Sequence, residues 1–518
     1  MAHWLNLGEI MPINAKKYPE KVCLCDESRK FTYPETEVRT NRLANALLGL
    51  GLKQGDKVAA LLENCIEFVE IYVAVAKAGL VVVPVNFRHV ADEIAYIAGN
   101  AEARAFIVHD QWCEMIDGIR GKLPRIADAN YIHVGEANLS GYKEYESFLA
   151  AGAEQTPDVK VLPSDTWIQL YTSGTTGQPK GVVRSHESYT AFYLINGIDF
   201  RFDEDEVCMN VMPLCHVNST FFTLNVTYVG GTVYSYPAMH FNAEELLRVI
   251  EREKITFISL VPTHYHLILA LSEEVRKKHD ISSIRKLLCS SAPARKETKL
   301  GIMEFFPGVQ LYEGYGSTEA GIVTTLKPHE QLDKLGSIGR ESTGTSEIRI
   351  LDERGEPVKR GEVGELYSRG PMLFDEYYKM PAKTAASHVG EYFTAGDMAY
   401  EDEQGYYYLV DRKDNMIITG GEKVFPSEVE TLLASHPDVF DVACIGLPDA
   451  KWGEVVTAVV VRKQGQELDE ATLGEWCKDK IAGYKRPRKI VFITSDEMPR
   501  TATGKILHRK LREKLGQE

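Results

Sequence analysis

Over most of the first three hundred residues, short apolar runs alternate with longer amphipathic segments, and that alternation restricts the chain to few folds. Asp56-Lys-Val-Ala-Ala-Leu-Leu reads as a buried strand, Glu67 to Lys77 as a helix and Leu80-Val-Val-Val-Pro-Val as the next strand. A further helix runs from Asp92 towards Ala98, and similar units recur around Ala105–Val108, Ile255–Val261 and Arg285–Cys289. This succession predicts α/β layers with largely parallel sheets, because parallel neighbours need a crossover and a helix supplies it. From about Gly339 to Tyr408 the pattern shifts to short strands with Gly-rich turns, as in Glu347-Ile-Arg-Ile-Leu-Asp-Glu-Arg-Gly, which predicts a β subdomain. Beyond Asp411 a compact α+β unit is expected. Pro426 and Ser427 open a helix from Glu428 to Ala434, strands follow near Val442–Leu447 and Val455–Arg462, then a helix near Ala471–Lys480 and a strand at Lys489–Ile493. The fold class is thus α/β: a large N-terminal domain of layered sheets plus the β subdomain over 1–411, a charged hinge at 412–414, and a small α+β C-terminal domain over 415–518.

Composition narrows the ligands. Lys and Arg total 59 against 74 for Asp and Glu, a net charge of −15, which disfavours a nucleic-acid partner. Anionic ligands would need locally positive ground built against that field. No apolar stretch is long enough to span a bilayer, and the N-terminus lacks the basic start and apolar core of a secretory signal, so no integral membrane segment is expected. The nine cysteines are scattered, with no CxxC pairs to suggest zinc, and are read as reduced thiols of a cytoplasmic protein.

The segment richest in chemistry is Tyr171-Thr-Ser-Gly-Thr-Thr-Gly-Gln-Pro-Lys-Gly-Val, directly after the apolar run Trp167-Ile-Gln-Leu. Gly174, Gly177 and Gly181 let the backbone turn and present its N–H groups, Thr172, Ser173, Thr175 and Thr176 add hydroxyls, and Lys180 adds a cation. All of this suits an oligophosphate. A surface linker shares the composition, but linkers rarely place a dense hydroxyl cluster and a lysine directly after a buried strand. The GxxxxGK[ST] spacing of a Walker loop is absent.

This loop resembles the signature of the acyl-adenylate-forming superfamily of acyl-CoA synthetases, luciferases and peptide-synthetase adenylation domains, and the resemblance runs from Phe31-Thr-Tyr to Gly504-Lys505. Tyr312-Glu-Gly-Tyr-Gly-Ser-Thr-Glu319 is similar to the family's second diagnostic stretch. The resemblance implies that Glu313, Gly314 and Gly316 border the nucleotide, Tyr315 lies against adenine, Thr318 meets the α-phosphate and Glu319 holds Mg²⁺, a hard cation suited to a carboxylate oxygen. Ser290-Ser291-Ala292-Pro293 sits where the family turns past the other face of adenine, with serines in place of glycines. Phe393-Thr-Ala-Gly-Asp397 resembles the ribose motif, with Arg412 as its partner; a carboxylate can accept from two vicinal hydroxyls. Gly364-Glu-Leu also matches, although Glu376 replaces the glycine common before Tyr377.

In the family the lysine of Pro499-Arg-Thr-Ala-Thr-Gly-Lys505 catalyses adenylation, where a fixed ammonium offsets the repulsion of two anions that must meet. Thiol attack needs other groups at the same place. The resemblance therefore implies a mobile C-terminal domain swinging about Asp414, which brings Gly420, Gly421 and Lys423 to the thiol channel. Trp452, Tyr484, Arg486 and Arg488 look like the coenzyme A contacts of aryl-CoA ligases such as 4-chlorobenzoate–CoA ligase, and Arg88 matches a phosphate contact of the large domain. Met212-Pro-Leu-Cys-His216 resembles the segment that places a histidine beside the carboxylate, and Phe192, His216, Val217, Val261, His264 and Gly314 are candidates for the acid pocket. No Asp stands where amino-acid-activating relatives hold an α-ammonium. The implied activity is AMP-forming ligation of a small non-amino carboxylic acid (aryl, alicyclic or medium- to long-chain) with ATP, Mg²⁺ and coenzyme A. Thr172, His216, Glu319 and Lys505 are the expected catalytic groups. The chain is expected to carry no fused carrier domain, and a homodimer is compatible with it. Loading of a separate carrier protein and luciferase-like oxygenation stay open as alternatives.

Overall fold

The computed structural model describes residues 6–172, 178–239, 241–290, 294, 296–500 and 506–516. By internal contacts they group into two compact units, residues 1–347 with 368–393, and residues 348–367 with 394–518.

The first unit is built on two sheets. The nine-stranded sheet runs, in spatial order, Arg340–Glu341, Gly321–Leu326, Gln310–Ser317, Lys286–Ser290, Phe257–Leu260, Val207–Asn210, Thr232–Ser235, Val22–Cys25 and Lys30–Thr32. Its interior neighbours from Gln310–Ser317 to Val22–Cys25 are parallel, while both ends close with antiparallel pairs. The eight-stranded sheet runs Glu376–Tyr377, Lys180–Ser185, Thr166–Thr172, Val81–Pro84, Lys57–Leu61, Ala105–His109, Tyr131–Val134 and Lys143–Glu144. Five of its pairings are parallel; the two involving Lys180–Ser185 are antiparallel. The expected strands and crossover helices therefore stand, and the sheets are largely parallel as the alternation requires.

One helix departs from the amphipathic pattern. Every residue of Ile66–Ala78 is buried, Glu67, Glu70 and Lys77 included. Its charges are matched in place: Lys77 Nζ donates to Glu37, to Thr40 Oγ1 at 2.9 Å and to Asn41 Oδ1 at 2.7 Å, and Glu70 pairs with Arg39 and accepts from Tyr145 Oη at 2.9 Å. Such matching is what permits charge on the inward faces of a buried helix.

The second unit holds a four-stranded sheet, Arg349–Leu351, Gly364–Tyr367, Asp397–Glu401 and Tyr407–Arg412, and a five-stranded sheet. The latter runs Glu422–Val424, Ile417–Thr419, Gly453–Arg462 and Val439–Asp449, with Lys489–Ile493 parallel to Gly453–Arg462. The β subdomain's last strands group with the C-terminal residues because Ser427 N donates to Asp411 Oδ2 at 2.9 Å and its hydroxyl to the Val410 carbonyl. The helix expected to reach Lys480 is Glu470–Cys477, and Asp479, with φ 58°, takes a left-handed conformation that a continuing helix does not allow.

Candidate active site

The phosphate-type loop closes an antiparallel hairpin. Thr166–Thr172 leads into it and Lys180–Ser185 returns, with Tyr171 opposite Gly181 and Thr172 opposite Lys180. A Cβ at Gly181 would lie 2.6 Å from Gln169 Nε2, so a side chain there would displace the Gln169 amide. Thr172 Oγ1, at the end of the leading strand, is enclosed without a hydrogen-bond partner among the described residues. Ser173, Gly174, Thr175, Thr176 and Gly177 lie outside the described residues, as do Ser291, Ala292, Pro293 and Lys505.

The second diagnostic stretch forms another hairpin, Gln310–Ser317 against Gly321–Leu326, with a register shift between Tyr315 and Gly316. A Cβ on Gly316 would meet the Gly321 carbonyl oxygen at 1.9 Å, so two backbones meet where no side chain fits. The turn between the strands carries Thr318 and Glu319, and Ser317 Oγ accepts from Ala320 N at 3.0 Å. Lys180 Nζ stands 4.0 Å from Glu319 Oε1 and 4.3 Å from the centre of the Tyr377 ring, and Tyr377 Oη donates to the same oxygen at 2.8 Å. The two hairpins therefore place a cation and a carboxylate side by side.

Sequence reasoning missed two residues of this assembly. Tyr377 had served only as a landmark; its strand pairs with the return strand, Tyr377 opposite Val182, and that pairing carries its hydroxyl to Glu319. Arg184 had no assigned role. It is wholly buried, donates to the Thr318 carbonyl at 3.1 Å and to the Met372 carbonyl, and lies 4.6 Å from the Tyr189 ring centre and 5.3 Å from that of Phe221. An arginine on a strand otherwise rich in apolar residues is the one signal that could have flagged it.

The buried carboxylate of Glu313 pairs with the buried Lys299 and accepts from the backbone N–H of Ala294, while burial raises its pKa. His216 is the N-cap of the helix Val217–Val229, and its enclosed Nε2 has no partner among the described residues. Burial, then the charges of His89 and Arg88, lower its pKa to about 4. It is neutral near pH 7. His264, on Pro262–Leu269, is lowered to about 4 by burial and Arg88, and its ring stacks on Phe241 at 4.3 Å. Val217 and Gly314 are half-buried, whereas Val261 and Phe192 are core residues, Phe192 stacked on Phe221 at 3.6 Å.

In the second unit Asp397 and Arg412 are cross-strand partners, with Arg412 Nε 2.6 Å from Asp397 Oδ1. Asp414 is exposed on the one-turn helix Lys413–Asn415. Gly420 packs beneath Trp452: a Cβ there would lie 2.8 Å from the indole, and Gly420 N donates to the Trp452 carbonyl at 2.8 Å. The Arg488 guanidinium lies 4.2 Å from the Trp452 ring centre and Lys451 Nζ 5.0 Å. Gly421 has positive φ in the same turn, and Lys423 is paired with Glu353. Arg486 lies 3.9 Å from Asp479, and Tyr484 is exposed.

Residues 12–378 match the AMP-binding enzyme family, and residues 428–505 match the AMP-binding enzyme C-terminal domain. The chain belongs to the AMP-binding enzyme family. It is 34% identical to a feruloyl-CoA synthase of Amycolatopsis sp. over 98% of this chain and 99% of that one. It is 32% identical to the long-chain-fatty-acid–CoA ligase FadD13 of Mycobacterium tuberculosis over 98% of each. The solved anthranilate CoA ligase AuaEII, in complex with anthranoyl-AMP, superposes with TM-score 0.90 at 30% identity, covering 100% of this chain and 99% of that one. The chain is an enzyme of the AMP-forming acid–thiol ligase class, with the mixed α/β fold the sequence implied. Among the described residues no helix is long and apolar enough to cross a membrane.

Proposed function

We propose that this enzyme joins a small non-amino carboxylic acid to coenzyme A in two half-reactions. In the first, a carboxylate oxygen attacks the α-phosphorus of ATP, the bond to the β-phosphate oxygen breaks, and pyrophosphate leaves. In the second, the thiol sulfur of coenzyme A attacks the acyl carbon, the bond to AMP breaks, and the thiol proton passes to solvent. The observation that carries this reading is the approach of Lys180 to Glu319 across the two hairpins, 4.0 Å apart under the Tyr377 ring and hydroxyl. That arrangement suits triphosphate on the cation and metal on the carboxylate.

Glu319 fits Mg²⁺. One carboxylate oxygen is engaged by Tyr377, and the described residues hold no cluster of three or more His, Cys, Asp or Glu. Mg²⁺ is ordinarily held by one or two carboxylates plus substrate phosphates, and here it would neutralise the charge of the leaving pyrophosphate. In this reading Thr172, Lys180 and the residues 173–177 bind phosphate, Thr318 meets the α-phosphate, Tyr315 faces adenine, and Asp397 with Arg412 takes the ribose. The neutral His216, whose Nε2 has no partner among the described residues, can donate from that atom to the carboxylate. Lys505 would catalyse the first step, and rotation about Asp414 would exchange it for the Gly420–Lys423 turn before the second. The domain boundary at 411 and the hinge at 412–414 belong to this proposal.

Coenzyme A as acceptor is supported by the Gly420, Trp452 and Arg488 platform, an aromatic face beside cations suited to a phosphorylated purine. The relatives named for feruloyl, long-chain fatty and anthranilate substrates share the thiol and differ in the acid. A cytoplasmic setting agrees with nine free thiols. The test is a panel of carboxylic acids scored first by pyrophosphate release and then by the mass of the coenzyme A thioester. Both products from the same acid are expected. Pyrophosphate without thioester would replace coenzyme A by a carrier-protein thiol, and no pyrophosphate with any acid would overturn the ligase reading.

A further inference from the structure

A polar triad of Asn218, Ser259 and Ser290 stands beside His216 and Val217, two of the candidate residues of the acid pocket. Asn218, in the first turn of Val217–Val229, donates through Nδ2 to Ser290 Oγ at 2.6 Å and accepts at Oδ1 from Ser259 Oγ at 2.9 Å. Ser290 ends the strand Lys286–Ser290, and Ser259 is the penultimate residue of Phe257–Leu260. Both therefore lie at the carboxyl ends of adjacent parallel strands, where open α/β sheets bind their ligands.

The face is set by strand alternation. Ile258, Leu260, Leu287 and Cys289 pack into one core, whereas Phe257 and Leu288 pack into the other with Phe221 and Phe222 of the Val217–Val229 helix. Ser259 and Ser290 share parity with Phe257 and Leu288 and so face that helix. Gly314 pairs with Ser290, and the Cβ it lacks would point to Ile322 and Leu288 on the same side. The two serines are buried, whereas Asn218 is half-buried, like His216, Val217, Gly314 and Tyr315. Asn218 therefore keeps part of its surface open, next in sequence to Val217 and joined through Ser290 to the strand that pairs with Gly314.

The hydrogen-bond count is independent of how the amide is turned. Two serine hydroxyls and one amide NH₂ carry four protons, the two internal hydrogen bonds use two, and among the described residues the other two have no acceptor. An apolar acyl group seated here would strand those donors away from water, and that penalty is what lets polar pockets reject substrates lacking the matching oxygen.

The geometry points to Asn218 as the residue that selects the acid, and to a substrate whose acyl part carries a hydroxyl or carbonyl oxygen that accepts from the Asn218–Ser259–Ser290 triad. This rests on the ligase reading above. The test uses matched acids with and without such an oxygen (hydroxylated and unsubstituted aryl acids, hydroxy- or oxo- and plain alkanoic acids of equal length), with kcat/KM taken from pyrophosphate release. The wild-type enzyme should favour the oxygenated member of the best pair by about 10-fold or more. Asn218→Leu, close in shape and apolar, should lose or invert the preference, and Ser259→Ala should weaken it. Equal use of both members, or a preference that survives Asn218→Leu, overturns the proposal while leaving the ligase reading intact. If Asn218→Leu fails to fold, as read by thermal melting, the Ser259→Ala ratio decides. Absence of pyrophosphate with every acid instead removes the ligase reading on which the proposal stands.

Discussion

Arg184→Met keeps the length of the side chain and deletes its charge and donors. Two carbonyls, of Thr318 and Met372, would then lose a buried partner. Leaving a buried acceptor unpaired costs about 1–3 kcal/mol, so the pair would cost roughly 2–6 kcal/mol. Against this, the substitution removes a wholly buried cation that pairs directly with no carboxylate among the described residues, whose desolvation costs several kcal/mol. The two terms oppose each other, and global stability should move by less than about 2 kcal/mol. The turn has no such compensation. Thr318 and Glu319 sit on the segment that Arg184 holds from beneath, and a displacement of about 1 Å in a positioning element can cost about 100-fold in rate. Pyrophosphate release by Arg184→Met should therefore fall about 100-fold in kcat/KM while the melting temperature shifts little. Arg184→Lys, able to reach one carbonyl at a time, should fall between. Conversion of supplied acyl-AMP to thioester should suffer less than pyrophosphate release. Wild-type adenylation by Arg184→Met, or a loss of activity that merely follows a loss of stability, would refute the positioning role.

Gly316→Ala would set a Cβ 1.9 Å from the Gly321 carbonyl oxygen, so it should open the hairpin that carries Glu319 and abolish ATP binding measured by calorimetry. Trp452→Ala should raise KM for coenzyme A about 10-fold or more without a matching fall in pyrophosphate release, because the ring lies in the second unit with Gly420 and Arg488. His186 is wholly enclosed, its Nδ1 accepts from Leu7 N at 3.1 Å, and burial lowers its pKa from 6.5 to about 4. The unfolded chain binds this proton below pH 6.5 and the folded chain does not, so stability should drop as pH falls from 6.5 towards 4, by about 3 kcal/mol for this group. Urea unfolding across that window should show the slope, and His186→Gln should reduce it by about one proton.

The parallel strands at Lys57–Leu61, Val81–Pro84, Ala105–His109, Phe257–Leu260 and Lys286–Ser290 were legible because apolar runs between helical segments have few other readings, and each falls within two residues of its expected place, whereas Val22–Cys25, Tyr131–Val134, Val207–Asn210 and Thr232–Ser235 were not singled out. The helix Ile66–Ala78 was legible as a helix, but its full burial was not. Partners distant in sequence neutralise Glu67, Glu70 and Lys77 inside. Nothing local to the helix could reveal Arg39 or Glu37 as those partners. Glu313 was grouped with the nucleotide residues by its place in the motif, and its pairing with Lys299 and the Ala294 N–H could not be read from that motif.

What the sequence determined alone was the family: glycines, hydroxyls and Lys180 after a strand, then Tyr315 to Glu319, Asp397 with Arg412, and Lys505, in the order that marks the AMP-binding enzymes. Residue types of this kind can be read one position at a time. The tertiary structure decided which distant side chains meet. Tyr377 reaches Glu319, Arg184 reaches Thr318, and Asn218 gathers Ser259 and Ser290, across separations of 58, 134 and up to 72 residues. Such contacts depend on strand register and the facing of side chains, which the pairing of whole sheets sets and no single stretch of sequence contains.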